Sequence, residues 1–220
     1  MKRLELVMFG LALLSFMVSL YFYPLMPEEI AIHWNVQGQA DGYTSKFPGL
    51  FILPSLLVGI ILLFIAIPKI DPLKENIEKF RRYYDGFVTL FSAFMVFIHL
   101  YVIFWNIGIR VSPNIILPLG FGLLFFYCGV LCENAKRNWF IGIRTPWTLS
   151  SEKVWERTHK LGGKLFKACG LISIAGLLLP SHAAYFILIP VLSTVSFLIV
   201  FSYFEYQKEI KQLGESVSKL

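Results

Sequence analysis

The distance between charged residues is the tightest constraint on this chain. No Asp, Glu, Lys or Arg occurs from Leu6 to Pro27, Phe47 to Pro68, Gly86 to Ile109 or Val111 to Cys132, which gives windows of 22, 22, 24 and 22 residues. A hydrocarbon core of about 30 Å is crossed by about 20 residues of helix, so each window reads as one span. The apolar residues run in blocks rather than at amphipathic spacing. With 56% hydrophobic and 15% charged side chains, this is a membrane composition and not that of a soluble core.

A fifth window, Ala168 to Phe204, holds 37 uncharged residues, with Pro180-Ser181-His182 near its middle as a turn signal. It reads as a helical hairpin whose first limb begins near Leu161 to Lys164, with Lys164 and Lys167 snorkelling to the headgroups. The competing reading has five spans, one of them long and kinked, and an external tail. Loop charge decides between them. With six spans and both termini inside, only Lys46 and Arg110 of the 20 Lys and Arg residues fall outside, whereas a five-span layout strands the basic tail on the outer face. The expected fold is therefore an all-α integral membrane protein of the cell membrane with six transmembrane helices and both termini cytoplasmic. A short ordered external loop and an internal loop with an interfacial amphipathic helix complete it. The spans fall at about 4–23, 49–67, 84–106, 113–132, 162–180 and 183–204 of a single domain, with the external loop at 24–48 and the cytoplasmic loop at 134–161.

Topology also accounts for the net charge of +6. No basic stretch is interleaved with exposed aromatics, so direct nucleic-acid binding is not expected. Leu4 to Tyr23 is too long for a signal-peptide core and lacks a small-residue cleavage site, so it reads as a retained first helix. Three cysteines, Cys128, Cys132 and Cys169, lie in or at the ends of apolar segments and do not form a disulfide framework by pattern.

Function is sought in the two long loops. In the outer one, Ile30, Ile32 and Trp34 alternate with Ala31, His33 and Asn35, which predicts a short extended segment with Gly38 and Asp41-Gly42 as turns. His33, Trp34, Asn35, Asp41, Tyr43 and Lys46 place an imidazole, aromatic rings, an amide and opposite charges together, a mixture suited to an external peptide or polar ligand. The plain alternative is that Trp34 and Tyr43 anchor at the interface while Asn35 and Asp41 satisfy turn backbone. One His and one Asp are too few for a metal site.

In the inner loop, Thr148 or Ser150 is positioned to cap an amphipathic helix from about Ser151 to Leu161, which Gly162-Gly163 would end. Glu156 and His159 are helix neighbours, but the second His of a metalloprotease helix is missing. Arg144, between Gly- and Pro-marked turns, is suited to a phosphate or carboxylate, with headgroup snorkelling as the alternative. His99 lies deep in the third span, either as a functional ionisable group or as a neutral interhelical hydrogen-bonder. No nucleophile triad, phosphate loop or paired intramembrane carboxylates appear, so nothing specific argues for an enzyme, and no cofactor or metal is implied.

Both loops resemble one family. Tyr23-Pro24, Pro27, Ile32-His33-Trp34-Asn35, Gly38, Asp41-Gly42-Tyr43 and Lys46 are similar to the first block of the SdpI-like membrane proteins. The run from Asn138 to Glu152, with Val154-Trp155, Thr158-His159 and Gly162-Gly163, resembles the second, more specific block. The best-known member protects its cell against a secreted peptide toxin and, when toxin-bound, holds a transcriptional repressor at the membrane. The resemblance implies membrane-embedded toxin resistance or signal transduction. Partners would be the lipid bilayer, an external peptide toxin at the outer candidates, and a cytoplasmic repressor or other protein at Asn138, Arg144, Trp147, Glu152, Trp155 and His159. An intramembrane enzyme acting on lipid or peptide, or a small-solute transporter using His99, are the alternative readings.

Overall fold

A computed structural model describes residues 2–217. Lys219, counted above among the inner charges, lies outside them. Among the described residues, six helices are long and apolar enough to cross a membrane. They are α1 (Lys2–Phe22), α2 (Lys46–Ile70), α4 (Arg81–Asn106), α5 (Pro113–Asn134), α7 (Glu152–Ala175) and α8 (Ala183–Val217). Two short helices, α3 (Lys74–Lys79) and α6 (Pro146–Ser150), sit in the inner connections, and a hairpin of β1 (Glu29–Trp34) and β2 (Ala40–Ser45) forms the outer one.

The spanning helices pack as two groups of three: α1, α2 and α4 touch one another, as do α5, α7 and α8, and α4 against α5 joins the groups. Met8, Leu57, Ile61, Tyr84 and Val88 fill the first group and, through Leu131, Ile141 and Trp155, its inner junction with the second. Along these helices many large apolar side chains remain exposed, among them Leu13, Leu62, Leu119 and Leu192. Such all-round hydrophobicity is expected where the solvent is lipid.

The ends of the bundle separate cleanly. Leu4 and Glu5 lie beside Lys69, Glu78 and Arg81, and the 134–151 connection touches both the end of α2 and the last turns of α8 through bonds from Trp139 to Asp71 and from Ser151 to Glu209. The hairpin, the start of α5 and the start of α8 meet at the opposite end. The start of α1 and the end of the described part of α8 therefore share one end, called inner here because the positive-inside expectation puts its concentration of basic residues on the cytoplasmic side.

One expectation is corrected by the structure. Gly162-Gly163 does not end an interfacial helix; instead α7 starts at Glu152, capped by the Ser151 side chain on Val154 N–H, and runs unbroken into the membrane. The amphipathic stretch is thus the inner part of the fifth span. The glycines serve helix contact: a Cβ on Gly129 would lie 2.5 Å from the Gly163 carbonyl oxygen, and one on Gly170 would lie 2.5 Å from that of Gly122. Gly122 and Gly129 on α5, and Gly163 and Gly170 on α7, are two turns apart and meet in antiparallel order, so the backbones touch without side chains between them. The extended segment expected in the outer loop is β1, although its burial does not alternate as its sequence does: Ile30 and Ala31 are both buried while Ile32 is exposed. Irregular pairing between Ala31 and Trp34 breaks the period of two. Past the 204 expected as the end of the sixth span, α8 continues as helix to Val217, with Glu205 and Glu209 tied to Arg157 and Ser151 of α7 and its cap.

Candidate functional site: an outer hairpin and an inner loop

On the outer face the hairpin is clamped from below. Lys46 N–H donates to Glu28 O at 2.9 Å, which makes Glu28/Lys46, and two residues along each strand Ile30/Thr44, the hydrogen-bonded pairs. Ala31 and Tyr43 then face each other as a pair whose backbone groups point away from the partner strand. At the β1 edge, Asn106 at the end of α4 satisfies both: its Oδ1 accepts from Ala31 N–H at 2.9 Å and its Nδ2 donates to Ala31 O at 3.0 Å. Asn114 Nδ2 holds the tip by donating to Val36 O at 3.0 Å. Gly49 of α2 lies against Ile30 and Thr44, where a Cβ would come 3.0 Å from Ile30 Cβ and 3.1 Å from Thr44 Cγ2. At the β2 edge, Tyr43 N–H and C=O point outward with no hydrogen-bond partner among the described residues, and the Tyr43 side chain is exposed.

The sequence candidates divide accordingly. Asn35 organises the tip: its Oδ1 accepts from the N–H groups of Gln37 and Gln39, both at 3.0 Å, and Gly38 takes a φ of 79°. His33 and Asp41 form an exposed pair, Nδ1 to Oδ1 at 2.5 Å. Trp34 is half-buried against Tyr101 and Trp105, with ring centroids 5.1 and 5.4 Å away, and its indole N–H is buried without a partner among the described residues. Lys46 lies over the Tyr23 ring and 3.4 Å from Glu28. Beside this surface, Trp34, Asn35, Asn114, Leu117, Ala183 and Ile187 line a cavity of about 290 Å³ between the hairpin tip and the starts of α5 and α8.

The inner loop is built the other way, with its polar groups turned inward. Asn138 is fully buried, donating to Lys136 O and Ile141 O and accepting from Phe140 and Ile141 N–H. Asp71, 2% exposed, accepts from Leu73 N–H and Trp139 N–H and so ties the end of α2 to the loop. His159, also 2% exposed, stacks on Trp155 at 3.8 Å. Its Nε2 accepts from Ile143 N–H at 2.9 Å, which leaves Nδ1–H to donate to Trp155 O at 2.9 Å. Trp155 Nε1 donates to Ala135 O. Gly142, at φ 109°, passes over the imidazole so closely that a Cβ would sit 2.4 Å from Nε2.

Thr145 and Thr148 complete the loop with a reciprocal capping box at the start of α6, and Thr145 Oγ1 meets Ser202 Oγ of α8 at 3.0 Å. Trp147 packs edge-on to Tyr203 of α8. Of the inner candidates, Asn138, Trp155 and His159 are therefore inside and position the loop, while Arg144 and Glu152 remain exposed. Glu156 points away from His159's contacts and lies 3.7 Å from Lys136. In the membrane, His99 is buried with Nε2 3.0 Å from Ser19 Oγ, which also donates to Leu50 O; its Nδ1 has no partner among the described residues.

Asn106, Asn114 and Asp71 were missed by sequence reading. A polar residue at the end of an apolar window is an available signal, but its partner lies 60 or more residues away and nothing local names it.

These features define a multi-pass membrane protein whose two motif-bearing loops lie on opposite faces, one presented and one locked. Residues 134–203 match the SdpI/YfhL protein family, and residues 10–58 match a domain of unknown function, DUF1648. The first match covers the inner loop with α7 and most of α8, and the second covers the outer hairpin with the adjoining parts of α1 and α2. The chain is 27% identical over 196 residues to Immunity protein SdpI of Bacillus subtilis (strain 168), which covers 89% of this chain and 92% of that one. It is 35% identical over 52 residues to the uncharacterized membrane protein YbgB of the same organism, covering 24% of this chain and 57% of the relative. No solved structure matches. The chain is thus similar to the SdpI/YfhL protein family over its inner loop and last two spans, and to an immunity protein over most of its length.

Proposed function

We propose that this protein confers resistance to an external toxin peptide, or senses one, through the outer hairpin, and engages a cytoplasmic partner through its inner face. The observation that carries the outer half is the asymmetry of the hairpin: β1 is closed by Asn106, while β2 presents the backbone of Tyr43 outward between exposed Asp41 and Ser45. An extended peptide adding to that edge gains main-chain hydrogen bonds without any rearrangement of the hairpin. The His33–Asp41 pair gives the surface a donor and a carboxylate, and the cavity beside Trp34 has room for a side chain. On the inner face, the exposed Glu152, Glu156 and Lys160 on the first turns of α7 form the surface left for a partner once the buried loop residues are set aside.

The test is survival of a toxin-sensitive bacterial host expressing the chain, challenged with secreted peptides encoded beside its gene. Protection that disappears in Tyr43→Pro, which removes an N–H directed away from the β1–β2 ladder, supports recognition at the β2 edge. Unchanged survival with and without the wild-type chain across those peptides refutes the proposal. Co-purification of a cytoplasmic protein only from peptide-treated cells supports the inner half.

A further inference from the structure

We infer that Arg144 and the groove beneath it form a binding site for one anionic phospholipid of the inner leaflet, with the lipid phosphate on the guanidinium and an acyl chain in the groove. The groove has a volume of about 290 Å³ and runs between the inner loop, Phe166 of α7, and Val195, Leu198 and Ile199 of α8. Its walls are aliphatic or aromatic except at the loop end, where Arg144 and Thr145 stand. Val195 and Ile199 are 43% and 45% exposed, so the groove opens on the membrane-facing side of the bundle. Acyl chains are the occupant available at that depth.

Charge selects the headgroup. Arg81, Arg157, Lys136, Lys167 and Lys208 each lie within 4.0 Å of a carboxylate. Arg144 does not, among the described residues: its guanidinium makes one hydrogen bond, from Nη1 to Trp139 O at 3.0 Å. A guanidinium has five N–H donors in a planar fork that matches phosphate oxygens, so most of its donors remain directed outward. Its position is fixed on both sides. Ile143 N–H is held by His159, Thr145 is held in its capping box, and Gly142 turns the chain with its φ of 109°. A preset cation above an apolar slot binds a lipid anion with little ordering cost. Exposed Trp139 and Phe140 flank it as interfacial aromatics do. A cytoplasmic acidic peptide would satisfy Arg144 but would leave the groove unfilled, which is why the lipid is favoured.

The experiment uses the full chain purified in detergent and measures its thermal unfolding midpoint on titration with phosphatidylglycerol, phosphatidylcholine or inorganic phosphate. The site predicts stabilisation by phosphatidylglycerol well above that by phosphatidylcholine, and none by phosphate. Arg144→Gln weakens the phosphatidylglycerol effect roughly tenfold or more, as loss of charge-assisted hydrogen bonds does. Val195→Trp, which fills the groove, weakens it with Arg144 intact, and Arg110→Gln, which removes an outer charge, leaves it unchanged. Bound lipid counted by native mass spectrometry gives the same comparison for any variant whose unfolding is shifted. Equal stabilisation by both lipids, an equal effect of free phosphate, or full retention in Arg144→Gln overturns the inference.

Discussion

Gly42 and Gly142 each lie against a histidine, and the two contacts serve opposite ends. On the outer hairpin a Cβ on Gly42 would meet His33 Cβ at 2.8 Å, so the glycine lets the exposed His33 stand beside Asp41 on the surface. On the inner loop a Cβ on Gly142 would meet His159 Nε2 at 2.4 Å, and there the glycine lets the backbone close over a buried imidazole. The outer histidine bonds a side chain and faces solvent, whereas the inner one bonds two backbone groups and an indole face. A histidine in a motif therefore marks a surface in one loop and a framework in the other. Backbone satisfaction tells the two apart: a buried ring that accepts an otherwise unpaired N–H is needed for the fold.

The largest effect is expected at Gly142. Gly142→Val adds a β-branched side chain at a positive φ and drives its Cβ into His159, costing roughly 3 kcal/mol or more. It should abolish recovery of folded protein from membranes; normal yield and unfolding temperature would show that the loop is not locked as described. His159→Ala comes next, at about 2–4 kcal/mol, because Ile143 N–H loses its acceptor inside the protein and Trp155 loses its stacking partner. Thermal unfolding in detergent measures it, and a change below about 0.5 kcal/mol would make the ring dispensable to the scaffold.

Asn106→Leu should cost about 1–3 kcal/mol, since both backbone groups of Ala31 lose their partner at once. Hydrogen exchange should speed up at Ala31 and its neighbours while α5 and α7 stay protected. Uniform acceleration would show instead that hairpin and bundle unfold together. The smallest effect on stability belongs to Asp41→Asn, under about 1 kcal/mol for an exposed pair. Its effect on protection should be large.

How much of this was legible follows the range of the interactions. Spans are set by local hydropathy: charge spacing yields four of them directly, and the turn at Pro180-Ser181-His182 together with the loop charges divides the fifth window into two. The tip at Asn35 and Gly38 is likewise a short-range matter of side chain to nearby backbone. Gly162-Gly163 misled because glycine in a helix means a stop when the helix is solvated and a contact when another backbone presses on it, and only the position of Gly129 distinguishes them. The burial of three inner candidates was not legible for a related reason. Asn138, Trp155 and His159 are polar or amphipathic residues in a loop, which reads as a surface, yet their partners are backbone groups of Ile141, Ala135 and Ile143, and a sequence does not say which carbonyls and amides a fold leaves unpaired.

The central claim is that the outer loop recognises and the inner loop holds. Its most direct test is to express wild type, His33→Ala/Asp41→Ala and His159→Ala in one toxin-sensitive host and to measure, in the same cells, survival under peptide challenge and the amount of folded protein in the membrane. The account predicts that the outer double variant keeps wild-type folded protein and loses protection, while His159→Ala loses both in proportion. Full protection by the outer double variant at wild-type abundance, or abundant folded His159→Ala protein that fails to protect, would contradict it.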